Sequence, residues 1–301
     1  MKKIKITLLV ILGIIVLVEL VGRYYGLTNY PLYNSSDEFE YLLKPNQDVT
    51  IYRNRFVTNA YSMRSDAINE KDSIVVLLLG DSVLNGGNSI DQDSLASTML
   101  EKELFHKYGK KVRVLNISDK TWSPDNTVAY LKKYGVFKAD MMLLVANSGD
   151  AYDPMTFRPI VGVASTHPAQ NQLFAWQNLI AKAWPVLKKT ILGQSDLSKL
   201  TGNQIEKKEK FIKGFAALDS ISRRLKIPFS IYLHRTQPEL ESNKLDPGGL
   251  AIVNFCKEQG VPIYINRFKT TYFIDEIHLN NTGQKALMKD LLPIVRHDLK
   301  L

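Results

Sequence analysis

Cysteine is almost absent. Cys256 is the single one in 301 residues, so no intrachain disulfide can form. It falls in the apolar helical segment Leu250 to Cys256 and reads as a small buried hydrophobe. Metal-ligand spacing is absent as well. His106, His167, His234 and His297 each lack a second His, Cys or carboxylate at ligand distance along the chain, so no metal and no other cofactor is expected. His106 and His297 fall on exposed helix faces, His167 precedes Pro168, and His234 ends a strand beside Arg235, where it would line a rim. There is no zinc-finger spacing, no nucleic-acid motif and no internal repeat, so nucleic acid is not an expected partner. Disorder is excluded too, because 45% hydrophobic, 23% charged and 10% aromatic residues are ordinary for a folded chain. The length allows one large domain or two small ones. Acidic residues are in the minority, and the net charge is +9. Beyond the N-terminal lysines, that excess fits a solvated basic surface or attraction to an anionic polymer or membrane.

One long hydrophobic run is present. Ile6 to Gly22 is broken only by Thr7 and Glu19, and about 17 residues is the short limit for crossing a bilayer. Glu19 stands four residues before Arg23, at pairing distance on a helix. Tyr24 and Tyr25 follow as an interfacial belt, and Lys2, Lys3 and Lys5 in front favour a cytoplasmic N-terminus. No small-x-small site for a signal peptidase lies between Leu17 and Leu27. The expectation is an uncleaved, single-pass anchor with the remainder outside the cytoplasm; a cleaved signal peptide is the alternative.

The chain is organised around Ser73 to Ser82. Six apolar residues, Ile74 to Leu79, run without a polar break, as a parallel strand buried on both faces does. The run stops at Gly80-Asp81-Ser82, and Asn85-Gly86-Gly87 follows. Gly80 suits a tight turn out of the sheet, which leaves Ser82 at the carboxyl end of a central strand, where open α/β sheets place ligands. Alone, the serine reads sooner as a helix cap than as a nucleophile. Near the far end, Asp275-Glu276-Ile277-His278 precedes an amphipathic segment, Thr282 to Leu299. An Asp three residues before a His can orient the imidazole, which can then take the proton of a serine hydroxyl.

Between these ends, strand and helix patterns alternate. Helical spacing covers Ser94 to Tyr108 and Asn126 to Tyr134; strands are expected at Val112 to Leu115 and Met141 to Ala146. Then come a helix from about Ile205 to Leu225, strand Phe229 to Leu233, helix Gly249 to Gln259 and strand Pro262 to Ile265. This pattern predicts an α/β fold, a three-layer α/β/α sandwich with a flavodoxin-like five-stranded parallel sheet. The first three strands would bring Ser82, Asn116-Ile117-Ser118 and Asn147-Ser148-Gly149-Asp150 to one edge. Tyr152 to Gly202 interrupts the alternation. Its amphipathic helix, with Phe174, Trp176, Leu179, Ile180, Ala183 and Trp184, must bury its apolar face, and the region reads as a cap over the site or a partner surface. Residues 28–72 are polar and turn-rich; Val57 to Arg64 is expected as an edge strand or hairpin, with Arg64 on the surface beside Asp66 or at the rim of a site.

Gly-Asp-Ser after an apolar strand, together with a late Asp-x-x-His, resembles the SGNH/GDSL hydrolase family over about residues 40 to 300. The lead-in to the strand resembles that of membrane-anchored members, with Ser62 where those have Gly. The resemblance implies Ser82 as nucleophile, His278 as base and Asp275 as its partner. It also implies an oxyanion hole from the N–H of Ser82, a donor after the second strand and an Asn after the third. Here Ser118 stands where Gly is usual. Gly149 occupies the Asn position, so Asn147 is the nearest side-chain donor. Three regions are expected: 1–27 as cytoplasmic N-terminus and transmembrane anchor, 28–72 as a lead-in packed on the domain, and 73–301 as the hydrolase domain with a cap-like insertion at 152–202. The implied function is a membrane-anchored, extracytoplasmic serine esterase. Its substrate would be an O-acylated, above all O-acetylated, glycan or lipid of the cell envelope. An acyltransferase with the same triad, working beside an acyl-exporting membrane protein, is the first alternative. A non-catalytic glycan-binding or assembly protein on a degenerate scaffold is the second.

Overall fold

The computed structural model describes residues 2–69, 74–109, 112–192 and 210–301. Ser73 and the expected loop at 193–202 lie outside the described residues, and the helix expected from about Ile205 begins among the described residues only at Gly214.

The apolar run becomes β5 (Ile74–Gly80), and it is paired on both sides in parallel. Its neighbours are β6 (Val112–Ser118) and β7 (Met141–Asn147). β8 (Phe229–His234) and β9 (Ile263–Ile265) extend the sheet, giving the order β6-β5-β7-β8-β9. That is the flavodoxin-like order, with its switch point between β5 and β7. The α/β/α fold is therefore as expected.

Side chains alternate across β5 because strand periodicity is two. Val75, Leu77 and Leu79 pack with α4 (Pro124–Tyr134), α6 (Gly214–Leu225) and α8 (Pro247–Gln259), which follows the short α7 (Gln237–Glu241), on one face, where Cys256 is buried. Val76 and Leu78 pack with α3 (Ala96–Tyr108) and α9 (Asn281–Leu299) on the other. Burying a Leu or Val side chain fully is worth about 1.5 to 3 kcal/mol, and these strands do so on both faces.

Val57 to Arg64 forms neither the expected edge strand nor a hairpin of its own, and the strands of the lead-in end at Val57. The lead-in forms two separate hairpins, β1 (Tyr33–Ser36) with β2 (Glu40–Leu43), and β3 (Asp48–Ile51) with β4 (Asn54–Val57). Residues 58–64 follow as turns, and Ser62 has φ 63°, the left-handed conformation that a glycine would adopt without strain. Arg64 is neither at the surface nor at a rim. It is fully buried, stacks over the Phe56 ring at 4.1 Å, and donates to the carbonyls of Asn85, Gly87 and Ile90. Hydrogen bonds from a charged group contribute about 1.5 to 3 kcal/mol each, so Arg64 fixes the loop that follows Ser82.

The insertion divides into two parts. Residues 153–174 run over the lead-in, where the Tyr33 N–H donates to the Pro168 carbonyl and Lys44 Nζ to the Ala169 carbonyl. Helix α5 (Ala175–Leu192) packs against the C-terminal end of α1 (Lys2–Tyr24). The helix is thus placed against α1 and not over the site: its first residue, Ala175, is buried where Gly22 leaves room and a Cβ would collide with it, while Leu179, Ile180 and Trp184 stay exposed. α1 itself has mean hydropathy 2.8 and is long and apolar enough to cross a membrane.

Candidate active site

Gly80 ends β5 without a left-handed φ. The reason for glycine is space: a Cβ there would lie 2.9 Å from the Val145 carbonyl oxygen and 3.2 Å from the Leu84 Cβ. Asp81 then caps the short helix α2 (Ser82–Asn85), accepting the Val83 N–H at 2.9 Å. Ser82 is the first residue of α2, so its N–H has no partner within the helix. On the opposite side, the N–H groups of Ile277 and His278 donate to Asp275 Oδ1 at 3.0 and 2.8 Å. The tight turn thus made turns both side chains to one point. His278 Nδ1 lies 2.7 Å from Asp275 Oδ2 and His278 Nε2 lies 2.9 Å from Ser82 Oγ. A carboxylate only accepts, so Nδ1 carries the proton and Nε2 is left to accept from the serine hydroxyl.

Burial raises the Asp275 pKa, but the two N–H donors and the His278 ring outweigh it, and the net shift is downward. It remains a half-exposed carboxylate. The three residues that the two motifs single out are therefore assembled from segments almost 200 residues apart.

The structure does not bring the other expected donors to the serine. Asn147 ends β7, and its amide nitrogen donates to Asp81 Oδ2 at 2.8 Å and to Asp150 Oδ1 at 3.1 Å. Its oxygen accepts the Gly149 N–H at 2.7 Å. Both amide protons are committed to buried carboxylates, so Asn147 is a bridge between Asp81 and Asp150 and not an oxyanion donor. Ser118, whose backbone N–H is the expected donor, lies away from the cavity as well. It is still in β6, opposite Gly80; its hydroxyl donates to Asn116 Oδ1 and its carbonyl accepts from Asn85. It does not line the cavity at Ser82. Burial pushes Asp81 up to about 6 and Asp150 well above the usual carboxylate range, where repulsion from Asp81 adds to burial.

A cavity of about 220 Å³ opens at Ser82 between Gly86, Gly87, Lys120, Thr166, Ile274 and His278. Lys120 is two residues past β6, and its ammonium donates to the Thr166 carbonyl at 3.3 Å. Thr166 is the one residue of the insertion on this cavity among the described residues. Neither was legible as a site residue, since a lysine in a polar loop carries no signal of its own. His234 is not at a rim: it is fully buried beneath the Asp275–His278 turn. Its Nε2–H donates to the Ile277 carbonyl at 2.9 Å, which sets the tautomer, and burial lowers its pKa to about 4. His106 and His297 are exposed, as expected. Among the described residues, no group of three or more His, Cys, Asp and Glu could hold a metal ion.

No family model matches the chain, and no curated protein matches it. Solved structures similar to it include the psychrotrophic esterase EstA from Pseudoalteromonas sp. That likeness has 11% identity, covers 75% of this chain and 99% of that one, and has a TM-score of 0.42. A putative lipolytic protein of the G-D-S-L family from Desulfitobacterium hafniense has 10% identity, 74% and 99% coverage, and a TM-score of 0.41. An acetyl xylan esterase from Geobacillus stearothermophilus has 13% identity, 74% and 94% coverage, and a TM-score of 0.40. Likenesses of this size carry no weight beside the geometry of the site.

Proposed function

We propose that the protein is a serine esterase of SGNH/GDSL type, held to the membrane by α1, that removes an O-acyl group from an envelope glycan or lipid. The observation that carries this reading is the chain Asp275–His278–Ser82, at 2.7 and 2.9 Å. Ser82 Oγ attacks the ester carbonyl while His278 Nε2 takes its proton. Nδ1–H stays with Asp275, which stabilises the imidazolium. The tetrahedral oxyanion is met by the Ser82 N–H at the start of α2 and by the Lys120 ammonium across the cavity, each a donor to developing negative charge. Collapse expels the alcohol, which takes the proton from Nε2. Water, deprotonated by the same nitrogen, then attacks the acyl-serine and restores the hydroxyl.

The binding-only reading predicts no need for a hydrogen-bonded nucleophile, base and carboxylate, and their alignment is the reason for setting it aside. A fluorophosphonate probe tests the choice. Labelling of the wild type that disappears in Ser82→Ala supports the esterase reading, and an unlabelled, folded wild type rejects it.

A further inference from the structure

α5 is tied to the last turns of α1 by more than apolar contact. Glu19 is the only acid in the apolar run. Its Oε2 accepts the Ala175 N–H at 2.8 Å, capping α5, while Oε1 pairs with Arg23 Nε at 2.7 Å. Arg23 in turn donates to the Leu173 carbonyl at 2.8 Å, and Asn178 Nδ2 to the Leu27 carbonyl at 2.6 Å. The position of α5 therefore follows that of α1.

The surface made by this junction is apolar. Leu173 is 72% exposed, Trp184 60% and Ile180 55%, and Tyr24 at the end of α1 is exposed as well. Between the two helices a groove of about 450 Å³ is lined by Leu17, Val18, Val21, Tyr25, Tyr52 and Leu179. Three of these residues belong to the run that is apolar enough to cross a bilayer. The groove wall is thus continuous with the surface that α1 would turn to lipid. A large exposed apolar patch marks an interaction site. Aromatic residues at its margin are what the boundary between hydrocarbon and headgroups selects.

We propose that this groove and the exposed face of α5 bind acyl chains of membrane phospholipid, in the leaflet where α1 emerges. The inference rests on the reading of α1 as an anchor. Glu19 does not oppose it, because Arg23 and the N-terminus of α5 neutralise its charge. α5 then lies in the interface as an amphipathic helix. Residues 153–174 lead directly into α5 and carry Thr166 to the cavity at Ser82. Lipid contact at α5 therefore holds that cavity at a fixed height and orientation above the bilayer.

The full chain, reconstituted into phosphatidylcholine vesicles, tests this. Ile180→Cys gives one reactive thiol, since Cys256 is buried, and takes an environment-sensitive nitrobenzoxadiazole label. Leu250→Cys, at an exposed position on α8, is the control. Hydrolysis of p-nitrophenyl acetate checks that both labelled proteins are folded and that the site works. With phosphatidylcholine brominated on its acyl chains, fluorescence at position 180 should fall about twofold or more, as insertion of 5 to 10 Å brings the label to the bromines, and position 250 should be unaffected. Equal, weak quenching at both positions, in protein that stays with the vesicles after a carbonate wash, overturns the proposal while α1 remains an anchor. Release of the protein by that wash overturns the anchor reading and this proposal together.

Discussion

Two carboxylate clusters flank Ser82, and they are opposite in kind. Asp275 is half-exposed, held by two N–H groups and the His278 ring, and its pKa is lowered. Asp81 and Asp150 are buried on the other side, bridged by the Asn147 amide, and their pKa values are raised. The same residue type is kept charged where it serves an imidazole. It is pushed toward neutrality where it only builds the strand ends. Burial against the number of donors decides which. The lesson for Asn147 is that a side chain at the right strand end is not available to a substrate when two carboxylates already claim its protons.

Removing the reactive side of this pair should have the largest effect. Ser82→Ala and His278→Ala should each lower kcat for p-nitrophenyl acetate by about 10⁴ to 10⁶, as in triads that act as one unit. Asp275→Ala should cost less, since an exposed carboxylate is partly replaced by water. An Asp275→Ala loss equal to that of Ser82→Ala would erase the distinction between its role and that of the other two.

The next effect tests which residue meets the oxyanion. Lys120→Ala should lower kcat by about 10² to 10³, the usual cost of one such donor, with little change in KM. Asn147→Ala should instead lower the melting temperature, because it strips a donor from two buried carboxylates at about 1 to 3 kcal/mol each. The reverse pattern, seen by steady-state kinetics and calorimetry, would return Asn147 to the oxyanion hole.

His234 is expected to act one step removed, through the turn that it supports. His234→Leu removes the donor to the Ile277 carbonyl and should lower kcat by up to about 10², the cost of a misplacement near 1 Å. His234→Gln restores a donor to that carbonyl and should recover most of the loss. Equal losses in both variants would show that the hydrogen bond is not what matters.

The smallest effect is a slope. An acid whose folded pKa is raised holds its proton where the unfolded chain has released it. Its contribution is greatest below the unfolded value and is lost as pH rises through the folded one. The raised pKa values of Asp150 and Asp81, the latter about 6, place that loss above pH ~4. Asp150→Asn removes the charge. The melting temperature of this variant relative to wild type should therefore increase from about pH 4 to about pH 7. A flat difference would mean that Asp150 is not strained by its neighbours.

The sheet was legible because runs such as Ile74 to Leu79 and Met141 to Ala146 carry their burial in adjacent residues. The triad was legible because Asp275 and His278 are three residues apart and because Ser82 ends an apolar run. What was missed depends on partners remote in sequence. Arg64 looks like a surface residue until the carbonyls of the loop 85–90 fold around it. Asn147 meets Asp81 across 66 residues of chain, and α5 takes its partner from the N-terminal helix. Periodicity showed that α5 has an apolar face, but not what that face would meet.

In the proposed reaction Ser82 forms a covalent acyl intermediate through His278. Mass spectrometry of the protein, quenched in acid during turnover of p-nitrophenyl acetate, tests it most directly. One acetyl group is expected on the peptide that contains Ser82, absent in Ser82→Ala and in His278→Ala. Turnover by the wild type with no acetylated peptide, or with the acetyl group on another residue, would contradict it.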